Sequence, residues 1–138
     1  MLELVIVMVI VGIMAALAAP AISTVMRHNR VNRAAAVITS DFQNAFAVAA
    51  RQREPVRIQA DASTQSYQFI DRKTGTVLRT RTFYGSTSEY SLTSLVFHPT
   101  TIDVFPNGVS SKVDTVDLAD GDYSKRIIAS TAGFVRVK

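Results

Sequence analysis

From Leu4 to Met26 the chain carries no charged residue, and these 23 positions are filled almost wholly by Val, Ile, Leu, Met and Ala. As a helix the run is roughly 34 Å long, enough to cross a hydrocarbon core of about 30 Å. The other reading is a cleaved secretory signal, with the Ala15 to Ala19 stretch as its cleavage region. Two features oppose it. The run opens behind an acid, Glu3, where a signal has basic residues, and it exceeds the usual apolar stretch of roughly 7–15 residues. Pro20 falls inside the run. In lipid, neighbouring helices can satisfy the carbonyl that a proline frees, so Pro20 is expected to kink the helix and not to end it. Gly12 adds a second soft point or a close-packing surface.

Beyond the charge-free run the helical pattern continues with a different face. Val31, Ala35, Ile38, Phe42, Ala45 and Ala49 recur at spacings of four, three, four, three and four, which makes one apolar stripe. Arg27, Arg30, Arg33, Asp41 and Arg51 are read as lying largely off it. Glu54-Pro55 is the stop, because a residue before proline avoids helical dihedrals. The remainder reads as β. Strands are expected at Val56–Ile58, Tyr67–Phe69, Val77–Phe83, Leu92–Phe97, Ile102–Phe105, Val113–Leu118, Arg126–Ser130 and Phe134–Val137. Turn residues separate several of them, among them Lys73-Thr74-Gly75, Pro106-Asn107-Gly108 and Asp120-Gly121-Asp122. The expected fold class is α+β. A long N-terminal helix packs its stripe on an antiparallel sheet or sandwich, with residues 1–26 membrane-spanning, 27–54 amphipathic and 55–138 globular.

Composition narrows the function classes. With no cysteine, disulfide frameworks, thiolate metal sites and cysteine nucleophiles are excluded. The formal charge of +4 is too small to imply nucleic acid by itself. No phosphate-loop or zinc signature is present, and no cofactor is expected.

The first 21 residues, MLELVIVMVIVGIMAALAAPA, resemble the start of type IV pilin-like proteins. In that family a basic leader ends in glycine, and a Phe-Thr-Leu-(Ile/Leu)-Glu-Leu start runs into an apolar helix broken by proline. Leu2-Glu3-Leu4 matches that start, and Pro20 lies at the family's distance from the glutamate. The leader and the first two mature residues are then expected upstream of Met1, as the substrate of a prepilin peptidase. Val104-Phe105-Pro106-Asn107-Gly108, Val116-Asp117-Leu118, Arg126 to Ser130 and Gly133 to Arg136 resemble the closing strands of the GspH/FimT type. The resemblance implies a minor pilin or pseudopilin, a filament subunit and not an enzyme. It further implies a single span in the bacterial inner membrane and a periplasmic β domain.

Each candidate residue has a competing bland reading. Glu3 is the candidate assembly residue. A carboxylate on an apolar helix is costly to bury unpaired, and in the resembled family it neutralises the N-terminal amine of a neighbouring subunit. Its alternative is a glutamate resting among headgroups. Arg27, Arg30 and Arg33 read as a solvated face near lipid headgroups. Counted alone they would set this end in the cytoplasm, but the implied leader outweighs them. Phe134, Arg136 and Lys138 are the candidate DNA contacts, because some FimT-like pilins hold DNA through a Gly-Arg-x-Arg motif there. Phe134 stands in place of the first arginine, and an amphipathic closing strand is the preferred reading. Asp114, Asp117, Asp120 and Asp122 match no calcium-loop spacing and read as a solvated hairpin loop. His28 and His98 read as surface residues.

Overall fold

The stripe that the spacing predicts organises the whole molecule. The computed structural model describes residues 2–85 and 88–138, and within its helix all side chains outside 17–21. Helix α1 runs Leu2–Gln52 without a break over 51 residues, about 77 Å. The kink expected at Pro20 falls among side chains outside those described. All six stripe residues are buried at 4% exposure or less, and Ala34 joins them. The helix ends where Arg53 turns left-handed, at φ 55°, just ahead of Glu54-Pro55.

Eight strands follow: β1 Val56–Asp61, β2 Ser66–Asp71, β3 Val77–Thr82, β4 Ser94–His98, β5 Thr101–Val104, β6 Asp114–Asp120, β7 Tyr123–Ala129 and β8 Val135–Val137. Each overlaps a strand expected from sequence. They form two antiparallel sheets of four, ordered β3-β2-β1-β5 and β4-β6-β7-β8. The chain crosses between the sheets at the β3–β4, β4–β5 and β5–β6 connections. Burial alternates strictly on β6, as expected where one face meets a core, whereas the edge strand β3 is exposed along nearly its whole length.

α1 lies on β6, β7 and β8 of the second sheet and on β1 and β5 of the first. Tyr67 is at the centre of an aromatic core, with ring centroids 5.4 Å from Phe69, 5.6 Å from Phe83 and 5.5 Å from Phe97. Phe42 brings the helix to Phe97 at 6.5 Å. Burial of such side chains contributes roughly 1.5–3 kcal/mol each, so the second half of α1 is held by packing and not by helix propensity.

Three expectations about charged residues need correction. Asp41 is 3% exposed, inside the stripe and not beside it, because three donors from the first sheet reach it. Asp114 and Asp120 are buried, since the β6 alternation turns them to the same inner face as Val116 and Leu118, so the acidic group is no solvated loop. Arg27 and Arg30 are not a free solvated face. Arg30 reaches Asp120 at 3.6 Å, and Arg27 lies against the β6–β7 turn. That turn needs Gly121. Its φ is 62°, and a Cβ there would sit 3.0 Å from Nη1 of Arg27. His98 is exposed as expected, whereas His28 is half-buried, stacked on Tyr123 at 3.9 Å.

Candidate assembly surface and candidate sites on the sheet domain

The first half of α1 carries most of the exposed large apolar side chains among the described residues. Among its described side chains, large apolar residues from Leu2 to Met14 are 50–76% exposed. A contiguous exposed apolar patch beyond a few hundred Å² marks an interaction surface, which makes this segment the candidate assembly surface. Among the described residues no helix is long and apolar enough to cross a membrane. The expected span from Leu4 to Met26 contains residues 17–21, whose side chains lie outside those described. Glu3 occupies the first turn of α1, where a negative charge suits the helix N-terminus. It is exposed and meets no cation among the described residues.

The candidate DNA contacts lie elsewhere. Phe134, Arg136 and Lys138 alternate along β8 on one face and line a cavity of about 320 Å³ with Ile128 and Ser130. Phe134 is 71% exposed. Register brings Arg126 beside Lys138 through paired backbone bonds of 3.0 and 2.7 Å. A neighbouring cavity of about 450 Å³ then takes in Lys125, Arg126 and Lys138. Asp117 enters the same cavity and binds Arg126 through two bonds of 2.6 and 3.1 Å. The face therefore gathers more cations than the sequence suggested, one of them already paired. Among the described residues no hydrogen bond or ion pair joins this face to Glu3.

The most developed polar cluster was missed in the sequence. Asp41 Oδ1 accepts from Arg79 Nη1 at 2.7 Å, and its Oδ2 accepts from Arg81 Nε at 2.7 Å. The Tyr67 hydroxyl completes the set by donating to Oδ2 at 2.8 Å. Burial opposes ionisation of Asp41, yet hydrogen bonds from Arg81 and Tyr67 and the charges of both arginines hold its carboxyl below the usual range. Burial, with the Asp41 charge added, pushes the Tyr67 phenol upward. Such a cluster fixes one hairpin on the helix and offers no nucleophile with a base. A lone acid between Ile38 and Phe42 was its only signal in the sequence. Asp114 is the opposite case: it is 1% exposed and its Oδ1 has no hydrogen-bond partner. Burial raises its carboxyl to about 7, against the lowering effect of a Thr115 backbone bond.

No protein-family model and no curated protein matches the chain. Solved structures do. The type IV minor pilin FimU of Pseudomonas aeruginosa strain PAO1 superposes with a TM-score of 0.64 at 19% identity, over 80% of this chain and 90% of that one. The fold is pilin-like. A second crystal form of FimU gives 0.61 at 17% identity, over 78% of this chain and 91% of that one. The minor pseudopilin EpsH from the type 2 secretion system of Vibrio cholerae gives 0.57 at 13% identity, over 79% of this chain and 96% of that one. At these identities the shared property is the fold: a long helix followed by antiparallel sheets. The pilin-like architecture expected from the sequence is therefore present.

Proposed function

We propose that the chain is a structural minor pilin or pseudopilin of the GspH/FimT type, acting in filament initiation or tip assembly of a type IV pilus or type II secretion pseudopilus. The observation that carries this reading is the exposed apolar half of α1, headed by Glu3, projecting from a domain with a pilin-like fold. In this reading the apolar half sits in the bacterial inner membrane before assembly and the β domain is periplasmic. It then packs against the helices of other subunits. Glu3 neutralises the N-terminal amine of a neighbour, and a prepilin peptidase processes the precursor. No step of this role requires catalysis or a cofactor.

The test is Glu3→Ala in the processed full-length protein. Removing one half of a pair buried in an apolar setting costs roughly 3–5 kcal/mol. Cross-linking to partner subunits, and piliation or secretion, should fall while the β domain keeps its fold. Normal assembly would sink the pairing role.

A second reading, a pilus-borne DNA-binding subunit for natural transformation, is favoured by the exposed Phe134 beside Arg136, Lys138 and Lys125. Asp117 in the same cavity opposes it by holding Arg126 and repelling phosphate. Gel-shift of duplex DNA by the full chain in detergent decides between them. A salt-dependent shift lost in Arg136→Ala/Lys138→Ala supports DNA binding, and no shift leaves the structural role alone.

A further inference from the structure

At the end of α1 farthest from Glu3, the helix and the edge of the first sheet enclose a groove of about 230 Å³. Its apolar lining is Ala45 and Val48 from α1, Phe69 from β2 and Leu78 from β3, and its polar lining includes Asp41 and Asn44 beside Arg51 and Arg79. An apolar cavity of roughly 150 Å³ admits a benzene ring, so this volume takes one bulky side chain.

The groove is shaped by a break in strand pairing. Consecutive strand residues point to opposite faces, yet Leu78 and Arg79 both line it. The register slips beside them: Phe69 pairs with Arg79 and Ile70 with Val77, which leaves Leu78 as the bulged residue. Bulges at sheet edges re-aim side chains, and β3 is an edge strand. Leu78 is 42% exposed, an apolar side chain only partly covered.

The polar lining decides which side chain fits. Arg79 commits Nη1 to Asp41, a carboxylate already shared with Arg81, and Arg51 forms no ion pair among the described residues. With Asp41 set against Arg79, the Arg51 charge leaves the lining net positive by one. A ring entering beside a guanidinium gains cation–π attraction, and a carboxylate beside the ring meets the unpaired Arg51 charge. A second copy of this chain does not offer that pair. Its exposed Tyr84 and Phe134 have no acidic neighbour in sequence. Tyr90 beside Glu89 packs on Phe83 at 5.0 Å, and Tyr123 beside Asp122 stacks on His28 at 3.9 Å. We propose that this groove docks an aromatic side chain flanked by an acidic residue on a neighbouring filament subunit of different sequence. The nature of the partner rests on the filament reading; the groove chemistry does not.

The experiment titrates acetyl-Asp-Phe-Asp-amide into isotope-labelled full-length protein in detergent micelles and follows amide shifts. The expected result is a saturable shift of Ala45, Val48, Leu78 and Arg79. Acetyl-Lys-Phe-Lys-amide and acetyl-Asp-Ala-Asp-amide should bind about tenfold more weakly or worse. Arg51→Glu should weaken the acidic peptide by about the same factor with the rest of the spectrum unchanged, because Arg51 is exposed. Absence of a saturable shift, shifts centred elsewhere, equal binding of the lysine peptide, or unchanged affinity in Arg51→Glu would each overturn the proposal. If Glu3→Ala blocks assembly while the peptide fails to bind, the filament reading stands and the groove reading falls. The reverse pair of results separates them the other way.

Discussion

The Tyr67 hydroxyl on β2 donates to Oδ2 of Asp41 on α1 at 2.8 Å, joining residues 26 apart in sequence across the aromatic core. Both partners are buried, and the arginines on β3 close over them from the solvent side. Asp41 thereby ties the edge of the first sheet to a helix whose stripe rests mainly on the second.

Asp41→Asn should destabilise the β domain by about 2–4 kcal/mol. Breaking a fully buried pair costs roughly 3–5 kcal/mol, and the partial exposure of Arg79 and Arg81 lowers that figure. Chemical unfolding followed by circular dichroism measures it. Amide exchange should also rise first in β2 and β3. A change below about 0.5 kcal/mol would show that the cluster contributes nothing net.

Two carboxylates should give stability opposite slopes with pH. Asp41 is held below its ordinary value of 3.8, so its contribution is present above that pH and is lost as pH falls through its lower folded value. Asp114 rises from 3.8 to about 7, so the folded state binds the extra proton and stability declines as pH climbs from about 4 to about 7. The decline is at most about 4 kcal/mol, taking about 1.4 kcal/mol per pH unit over about three units. Asp114→Asn should flatten that slope and raise the unfolding midpoint at pH 8 relative to the unsubstituted protein. An unchanged slope would exclude Asp114 as its source.

Gly121→Ala should cost about 1–2 kcal/mol through its left-handed backbone, since a Cβ is disfavoured there. The end of Arg27 can move away from the added methyl, so the same cost should persist in an Arg27→Ala background. Thermal unfolding of the two single variants and the double variant separates the effects. A cost that vanishes without Arg27 would assign it to crowding.

Periodicity carried most of the architecture. The helix, its stripe from Val31 to Ala49 and all eight strands follow from spacings of three to four and of two, which neighbouring residues set by themselves. The apolar first half and Glu3 were likewise visible, because a charge-free run needs no tertiary partner to be recognised. The tertiary structure alone decided what the charges do. Asp41 meets Arg79 and Arg81 across 38 and 40 residues, and Asp114 and Asp120 face inward only because β6 sits between β4 and β7. The choice of a sandwich over a single sheet, the assignment of strands to its two sheets and the bulge at Leu78 were not decided by the sequence. Pairing partners and register depend on long-range contacts that no local pattern encodes, and the energy of a charge depends on its burial and its neighbours more than on its place in the chain.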